Sequence, residues 1–274
     1  MSGASCRVPL RSHRKVPVSR SAVNVRFHDS VALITLDDGK ANVVTSDVID
    51  GLWRALDAAE ADASAVVLAG RPGVFSGGLD VSVLGAGGDP AMVLVHKATD
   101  VCLRLAEFPR PVVAACTGHA VALGAVFLLC SDLRFCAEGD FRIGFNEVSI
   151  GIPVPELVVG LARQRLSRRH LALALNTAQM YSPTEAVEVG FLDSARALNV
   201  TADALRAAAD LGERLEPAAF AETRRTMTGR LGETIIRHAG SFMGLRDAPP
   251  PRVRASRNPV ESELQVADGS RAGW

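Results

Sequence analysis

The stretch from Pro111 to Pro153, PVVAACTGHAVALGAVFLLCSDLRFCAEGDFRIGFNEVSIGIP, constrains this chain more than any other. It opens on an apolar run, Val112 to Cys116, whose length and bounding suit a buried strand. Thr117 and Gly118 then turn the chain. Ala120 to Cys130 is almost wholly apolar and stops at Ser131-Asp132, which predicts a buried helix beginning near Leu123-Gly124. A helix start presents unpaired backbone N–H groups and the positive end of a dipole. In an apolar wall, such a start suits a developing oxyanion. A short strand, Leu133 to Cys136, and a polar excursion, Glu138 to Arg142, come next. In the closing IGFNEVSIGIP one carboxylate, Glu147, stands among apolar neighbours. Backbone N–H donors and a carboxylate in apolar surroundings are the parts that proton abstraction beside a carbonyl requires.

The chain upstream alternates strands and helices. Val31 to Leu36 reads as a strand and Asp37-Asp38-Gly39-Lys40 as a turn. Thr45 or Ser46 can cap a helix with Val48, Ile49, Leu52, Trp53 and Leu56 on its apolar face. Ala65 to Ala69 is a second strand. It runs into Gly70-Arg71-Pro72-Gly73-Val74-Phe75-Ser76-Gly77-Gly78-Leu79-Asp80, a glycine-rich loop that is neither a P-loop nor a dinucleotide fingerprint. A helical pattern covers Ala91 to Glu107 and ends before Pro109. After Pro153 the pattern is helical throughout: Leu157 to Arg165, His170 to Leu175, a capped segment within Tyr181 to Asp193 closed by Gly190, Leu205 to Leu215 and Phe220 to Met227.

From about Val23 to Gly244 this arrangement resembles the crotonase superfamily, the enoyl-CoA hydratase/isomerase fold. The resemblance rests on Phe75-X-X-Gly78-X-Asp80, on Gly118-His119-Ala120 with Val121-Ala122-Leu123-Gly124, on Cys130-Ser131-Asp132, and on Asn146-Glu147-Val148-Ser149-Ile150-Gly151. It implies an α/β fold: a crotonase-type β-β-α spiral core with a C-terminal helical trimerisation part. The implied organisation is an extension over 1–22, the core over 23–156, the helical part over 157–246 and a tail over 247–274.

The resemblance also implies roles. Two backbone N–H donors, those of Leu79 and Leu123, would stabilise an enolate formed from an acyl-CoA thioester. Relatives often carry glycine where this chain has Leu123, and leucine does not cheaply adopt a positive φ. Lys40 and Ala41 fall on the CoA-adenine segment, and Gly77, Gly78, Leu79 and Asp80 form the substrate loop. Hydratases of the family use two glutamates. Glu147 matches the second, but the first position falls on Val126. A single glutamate suffices to shuttle a proton along an allylic system, which favours an enoyl-CoA isomerase type of reaction. The alternatives are a hydratase with a replaced second acid and a catalytically weak acyl-CoA binding protein. No cofactor is implied beyond the CoA of the substrate, and the implied assembly is a homotrimer or hexamer.

Composition limits the remaining classes. Lys+Arg and Asp+Glu are equal at 30 each, so nothing suggests a nucleic-acid partner. No apolar run reaches the ~20 residues needed to span a bilayer. The five cysteines have no metal-ligand spacing, and Cys116, Cys130 and Cys136 lie in apolar runs, as small buried hydrophobes of a reducing compartment do. The histidines form no metal-ligand pattern either. Residues Met1 to Ser21 are basic and hold no acid. They read as an unstructured extension or an organelle transit peptide, so the expected location is the cytoplasm or, with a transit peptide, an organelle matrix. The tail over 247–274 is rich in proline and polar residues, as in a disordered segment.

Overall fold

The structure, a computed structural model, describes residues 21–197 and 199–238. Most of the extension and the whole tail expected from the sequence lie outside the described residues.

The main sheet has six strands in the order β1-β2-β4-β7-β9-β11. Strands β1 (Val23–His28) and β2 (Val31–Leu36) form an antiparallel hairpin. Strands β4 (Ala65–Ala69), β7 (Val112–Cys116), β9 (Leu133–Ala137) and β11 (Ser194–Ala197) then add in parallel. Every residue of β4 and β7 is buried, which explains why both are continuous apolar runs rather than alternating ones. Their side chains divide between two cores by the period of two. Val66, Leu68, Val112 and Ala114 face the larger core, with α1 (Ser46–Asp62), α3 (Gly88–Ala106) and α4 (Leu123–Leu129). Ala65, Val67, Val113 and Ala115 face α8 (Val200–Arg214), which presents Val200, Ala204, Ala208 and Leu211 on one side.

Two smaller sheets carry the loops of interest. In one, β8 (Gly118–Val121) lies between β5 (Gly73–Ser76) and β10 (Ile143–Gly144), parallel to both. In the other, β3 (Val43–Val44) pairs in parallel with β6 (Gly78–Leu79). The short α2 (Val81–Ala86) follows β6. The remaining helices are α5 (Glu156–Arg165), α6 (Leu171–Asn176), α7 (Pro183–Val189) and α9 (Pro217–His238). A capping box from Ser182 and Glu185 starts α7, and Gly190 at φ 104° ends it.

Two expectations from the sequence are corrected here. The region after Pro153 is not helical throughout: Ser194–Ala197 is a strand, paired with β9. Through β11 and α8 this region completes the main sheet and covers one of its faces. The expected turn at Gly118 is instead the first residue of β8, where a Cβ would fall 1.9 Å from the Gly73 backbone. Only glycine admits that strand–strand approach.

Long arginines lock the C-terminal helices to this core. Arg224 of α9 is buried, donates to the carbonyls of Leu105 and Ala106 at 3.3 Å, and pairs with Asp132. Asp132 also accepts the Val112 N–H at 2.8 Å. A single aspartate after α4 thus joins a central strand to the last helix. Cys102, Cys116, Cys130 and Cys136 are buried free thiols, as three of them were expected to be.

Candidate active site

Strands β5, β8 and β10 are parallel neighbours, and each leads directly into a segment singled out in the sequence. After β5, Gly77 leads into Gly78-Leu79. After β8, Ala122 leads into Leu123. After β10, Phe145-Asn146 leads into Glu147. Leu79, Leu123 and Glu147 therefore follow the C-terminal ends of adjacent parallel strands, where α/β folds place their ligands. A hydrogen bond from the Ala122 N–H to the Gly144 carbonyl, 3.0 Å, holds the second segment beside the third.

The Leu123 N–H belongs to the first residue of α4, which has no intrahelical acceptor for it. The positive φ that the turn requires falls on Ala122, at 52°, and not on Leu123. Leucine is therefore no obstacle, and the expected difficulty at that position is removed. Gly124, next along, has its missing Cβ only 2.4 Å from the Ser76 carbonyl, so any side chain there would push α4 off the loop.

The Leu79 N–H is framed by its neighbours. Asp80 donates to the Val44 carbonyl of β3 at 3.3 Å, and Gly78 donates at 3.2 Å to the Ser76 hydroxyl, which itself donates to the Asn42 carbonyl just before β3. N–H groups alternate sides along a strand, so that of Leu79 faces away from β3. On Gly78 a Cβ would lie 2.8 Å from the Ala122 Cβ and 3.4 Å from the Leu123 nitrogen, at a φ of 92°. The two donor segments are in van der Waals contact.

Glu147 leads into a short 3₁₀ turn, Val148–Ile150, closed by Gly151 at φ 83°. Its carbonyl accepts from Ile150 and Ile152, at 3.1 and 2.9 Å. The residue is half-buried, but its Oε2 is covered and has no protein partner. Burial pushes the carboxyl up to about 7, against the opposing pull of the Glu147 and Asn146 backbone N–H groups. A carboxyl that titrates near neutrality is suited both to take a proton and to return it. The Oδ1 of the adjacent Asn146 is likewise buried without a partner.

The other expected residues fall as follows. Gly77 is buried and donates to the Ala41 carbonyl at 2.8 Å. Ala41 is itself buried against Val74 and Val121, so it joins the wall by packing and by its carbonyl. Lys40 is exposed beside it, its carbonyl accepting from Arg71 Nε at 2.6 Å. Asp80 caps α2, accepting from Ser82 and Val83. Val126, where the resemblance puts the hydratases' first glutamate, is buried on α4 one turn after Leu123. His119 packs edge-on against Phe141, and its Nδ1 accepts the Arg142 N–H at 3.0 Å. Among the described residues no three His, Cys, Asp or Glu side chains group as a metal site.

Two residues hold the site in ways the sequence does not show: Asn42, which the sequence matches only to the CoA-adenine segment, and Ser76. Asn42 is buried at φ 50° and donates from Nδ2 to the carbonyls of Leu36, Val74 and Phe75. Its place in a turn was a signal, since asparagine tolerates that conformation. Ser76 is fully buried and bonds both Asn42 and Gly78. Nothing local to Ser76 marks it.

Three adjacent parallel strands that lead into the Leu79 and Leu123 N–H groups and one raised carboxyl define a class, and comparison agrees. The chain belongs to the enoyl-CoA hydratase/isomerase family, whose model matches residues 26–236. It is 34% identical to an enoyl-CoA hydratase/isomerase family protein from Pseudomonas syringae of known structure, with a TM-score of 0.77, covering 82% of this chain and 97% of that one. An enoyl-CoA delta isomerase 3 from Arabidopsis thaliana is 30% identical over 67% of this chain and 80% of its own. A probable enoyl-CoA hydratase from Bacillus subtilis is 25% identical over 63% and 68% respectively. The fold is accordingly of the crotonase type. No described helix is long and apolar enough to cross a membrane.

Proposed function

We propose that this protein isomerises enoyl-CoA thioesters, moving a double bond from the 3,4 to the 2,3 position with Glu147 as the only proton carrier. The observation that carries this reading is the pairing of Glu147, raised to about 7, with an apolar Val126 where hydratases hold their other acid. The Glu147 carboxylate takes a proton from C2. The negative charge spreads over a dienolate whose oxygen accepts from the Leu79 and Leu123 N–H groups. The proton then returns to C4, and the electron pair settles between C2 and C3. One oxyanion donor can contribute a factor of about 10²–10³ in rate. Each step is a proton transfer or a redistribution of charge, so the reaction as written calls for no metal or redox group.

In this reading the exposed Lys40, beside Ala41, meets the CoA moiety, and Asp80, the cap of α2, belongs to the substrate loop. Hydration is the second reading, favoured by the likeness to the probable enoyl-CoA hydratase of Bacillus subtilis. It needs one group to activate water and another to deliver a proton. Assays with 3-enoyl-CoA and 2-enoyl-CoA separate the readings. An isomerase converts the first, a hydratase adds water to the second, and a binding protein retains both unchanged. With the isomerase, Glu147→Gln should lower turnover by at least about 10²-fold while leaving affinity for a saturated acyl-CoA little changed. A folded Glu147→Gln protein that works at the parent rate would sink the proposal.

A further inference from the structure

We propose that Ser76 is a positioning residue for the oxyanion donors: its hydroxyl fixes the peptide before Leu79, and its carbonyl forms the seat on which the Leu123 turn rests. This inference rests on the reading of Leu79 and Leu123 as donors to a thioester oxygen. Ser76 is the last residue of β5, fully buried, and its side chain reaches across to the neighbouring segment. Its Oγ donates to the Asn42 carbonyl at 2.9 Å and accepts the Gly78 N–H at 3.2 Å. The hydroxyl thereby uses its donor and one acceptor site in a single fixed orientation.

The consequence falls on Leu79. Gly78 sits at φ 92°, a region glycine enters as freely as several others, so backbone preference alone does not fix it there. Its N–H is held by Ser76 and the N–H of Asp80 by Val44, so the peptides on both sides of the Gly78–Leu79 unit are held. The Leu79 N–H is left pointing away from β3, next in the chain to Gly78, whose Cβ position lies 3.4 Å from the Leu123 nitrogen. The same residue acts on the other donor through its backbone, because Gly124 approaches the Ser76 carbonyl as closely as only a glycine can. One side chain and its own carbonyl therefore set the spacing of both N–H groups. Asn42 extends this support: it bonds the carbonyls of Val74 and Phe75 just before Ser76, and Asp38 Oδ1 accepts its N–H at 2.9 Å.

A misaligned donor weakens most where charge develops, so the transition state should suffer more than the ground state. The test uses the full chain with Ser76→Ala and Ser76→Cys, the second keeping bulk and a weak acceptor. The probe is butyryl-CoA labelled with ¹³C at the thioester carbonyl, read by infrared difference spectroscopy, alongside kcat and KM on 3-enoyl-CoA. In the parent the carbonyl band should move to lower frequency on binding. Ser76→Ala should lose at least half of that movement and about tenfold in kcat, with KM and butyryl-CoA affinity within about twofold. Ser76→Cys should fall between. Retention of the parent band shift in a folded variant would overturn the inference, as would KM rising as much as kcat falls. A parent that moves the band but converts no enoyl-CoA would sink the isomerase reading, and the variants' bands would still decide on Ser76. A parent that moves no band overturns the donor assignment and the role of Ser76 with it.

Discussion

Gly78 and Leu123 touch across the candidate site: a methyl group added to the glycine would lie 3.4 Å from the leucine nitrogen and 2.8 Å from the Ala122 Cβ. The distance between the two donor segments is thus set by the absence of a side chain. Gly78→Ala should force the segments apart and strain a backbone already at φ 92°. We expect turnover to fall by about 10²-fold or more, as for loss of one donor, with stability reduced by roughly 1–3 kcal/mol. Gly73→Ala, whose φ is 85° but whose Cβ would meet nothing within 4 Å, is the control. It should lose similar stability and keep most of the activity. Equal activity losses in the two proteins would show that strain, not donor spacing, is responsible.

Burial of Glu147 has a cost that depends on pH. Its carboxyl is lifted from an ordinary 4.5 to about 7 in the folded protein. The folded state therefore binds this proton more tightly than the unfolded chain. The stabilisation from that proton is complete below about 4.5 and is lost as pH rises through 7. At about 1.4 kcal/mol for each tenfold change in binding, the lift corresponds to roughly 3 kcal/mol. Glu147→Gln removes the titration. It should gain roughly 2–3 kcal/mol over the parent between pH 5 and pH 8 in urea unfolding. Burial also raises Glu107, but that residue is shared by both proteins and cancels in the comparison. A difference between the proteins that is the same at both pH values would contradict the burial argument. For catalysis the sign reverses, because the base must be ionised, so kcat/KM should climb with pH through a midpoint near 7.

Much of the framework was legible because its physics is local. The strands Val31–Leu36, Ala65–Ala69 and Val112–Cys116 have the bounds their apolar runs suggest. Thr45 caps α1, and Ser182 and Gly190 bound α7, through side chains or glycine a few residues away. Glu147 stood out as a charge inside an apolar run. What was not legible depends on distant partners. Ser194–Ala197 has no strand-like composition and is a strand because β9 offers it an edge. The turn before α4 places its positive φ on Ala122, though alanine carries no such preference, because β8 and β10 fix the chain on both sides of it. Ser76 acquires its role only by meeting Asn42, 34 residues earlier.

The family relationship suggests assembly through the C-terminal helices, and among the described residues there Leu173 and Met227 are left in the open. Leu173 on α6 is 45% exposed and Met227 on α9 is 63% exposed. Large exposed apolar groups on a folded chain mark contact surfaces when they cluster. We expect a trimer or a dimer of trimers at micromolar concentration by sedimentation velocity. Leu173→Glu with Met227→Glu should shift the distribution toward a folded monomer. A parent that sediments only as a 28.9 kDa species would refute the expectation.

Val126 tests whether the missing acid defines the reaction. The side chain is 1% exposed, on α4 one turn after Leu123. Val126→Glu would put a carboxyl at the position that the family resemblance assigns to the hydratases' other acid, in the buried core cluster. The new carboxyl has no cation beside it and must be protonated or reach the site's solvent, so stability should fall by roughly 2–4 kcal/mol. Isomerisation should not improve, because the single shuttle already carries both proton transfers. Hydration of 2-enoyl-CoA should appear or rise, since a second acid/base group contributes about 10²–10⁴-fold when positioned. Combining Val126→Glu with Glu147→Gln should abolish both reactions, because neither group alone can hold water and deliver a proton. If the parent already hydrates 2-enoyl-CoA faster than it isomerises 3-enoyl-CoA, and Val126→Glu leaves that ratio unchanged, the single-carboxylate argument fails.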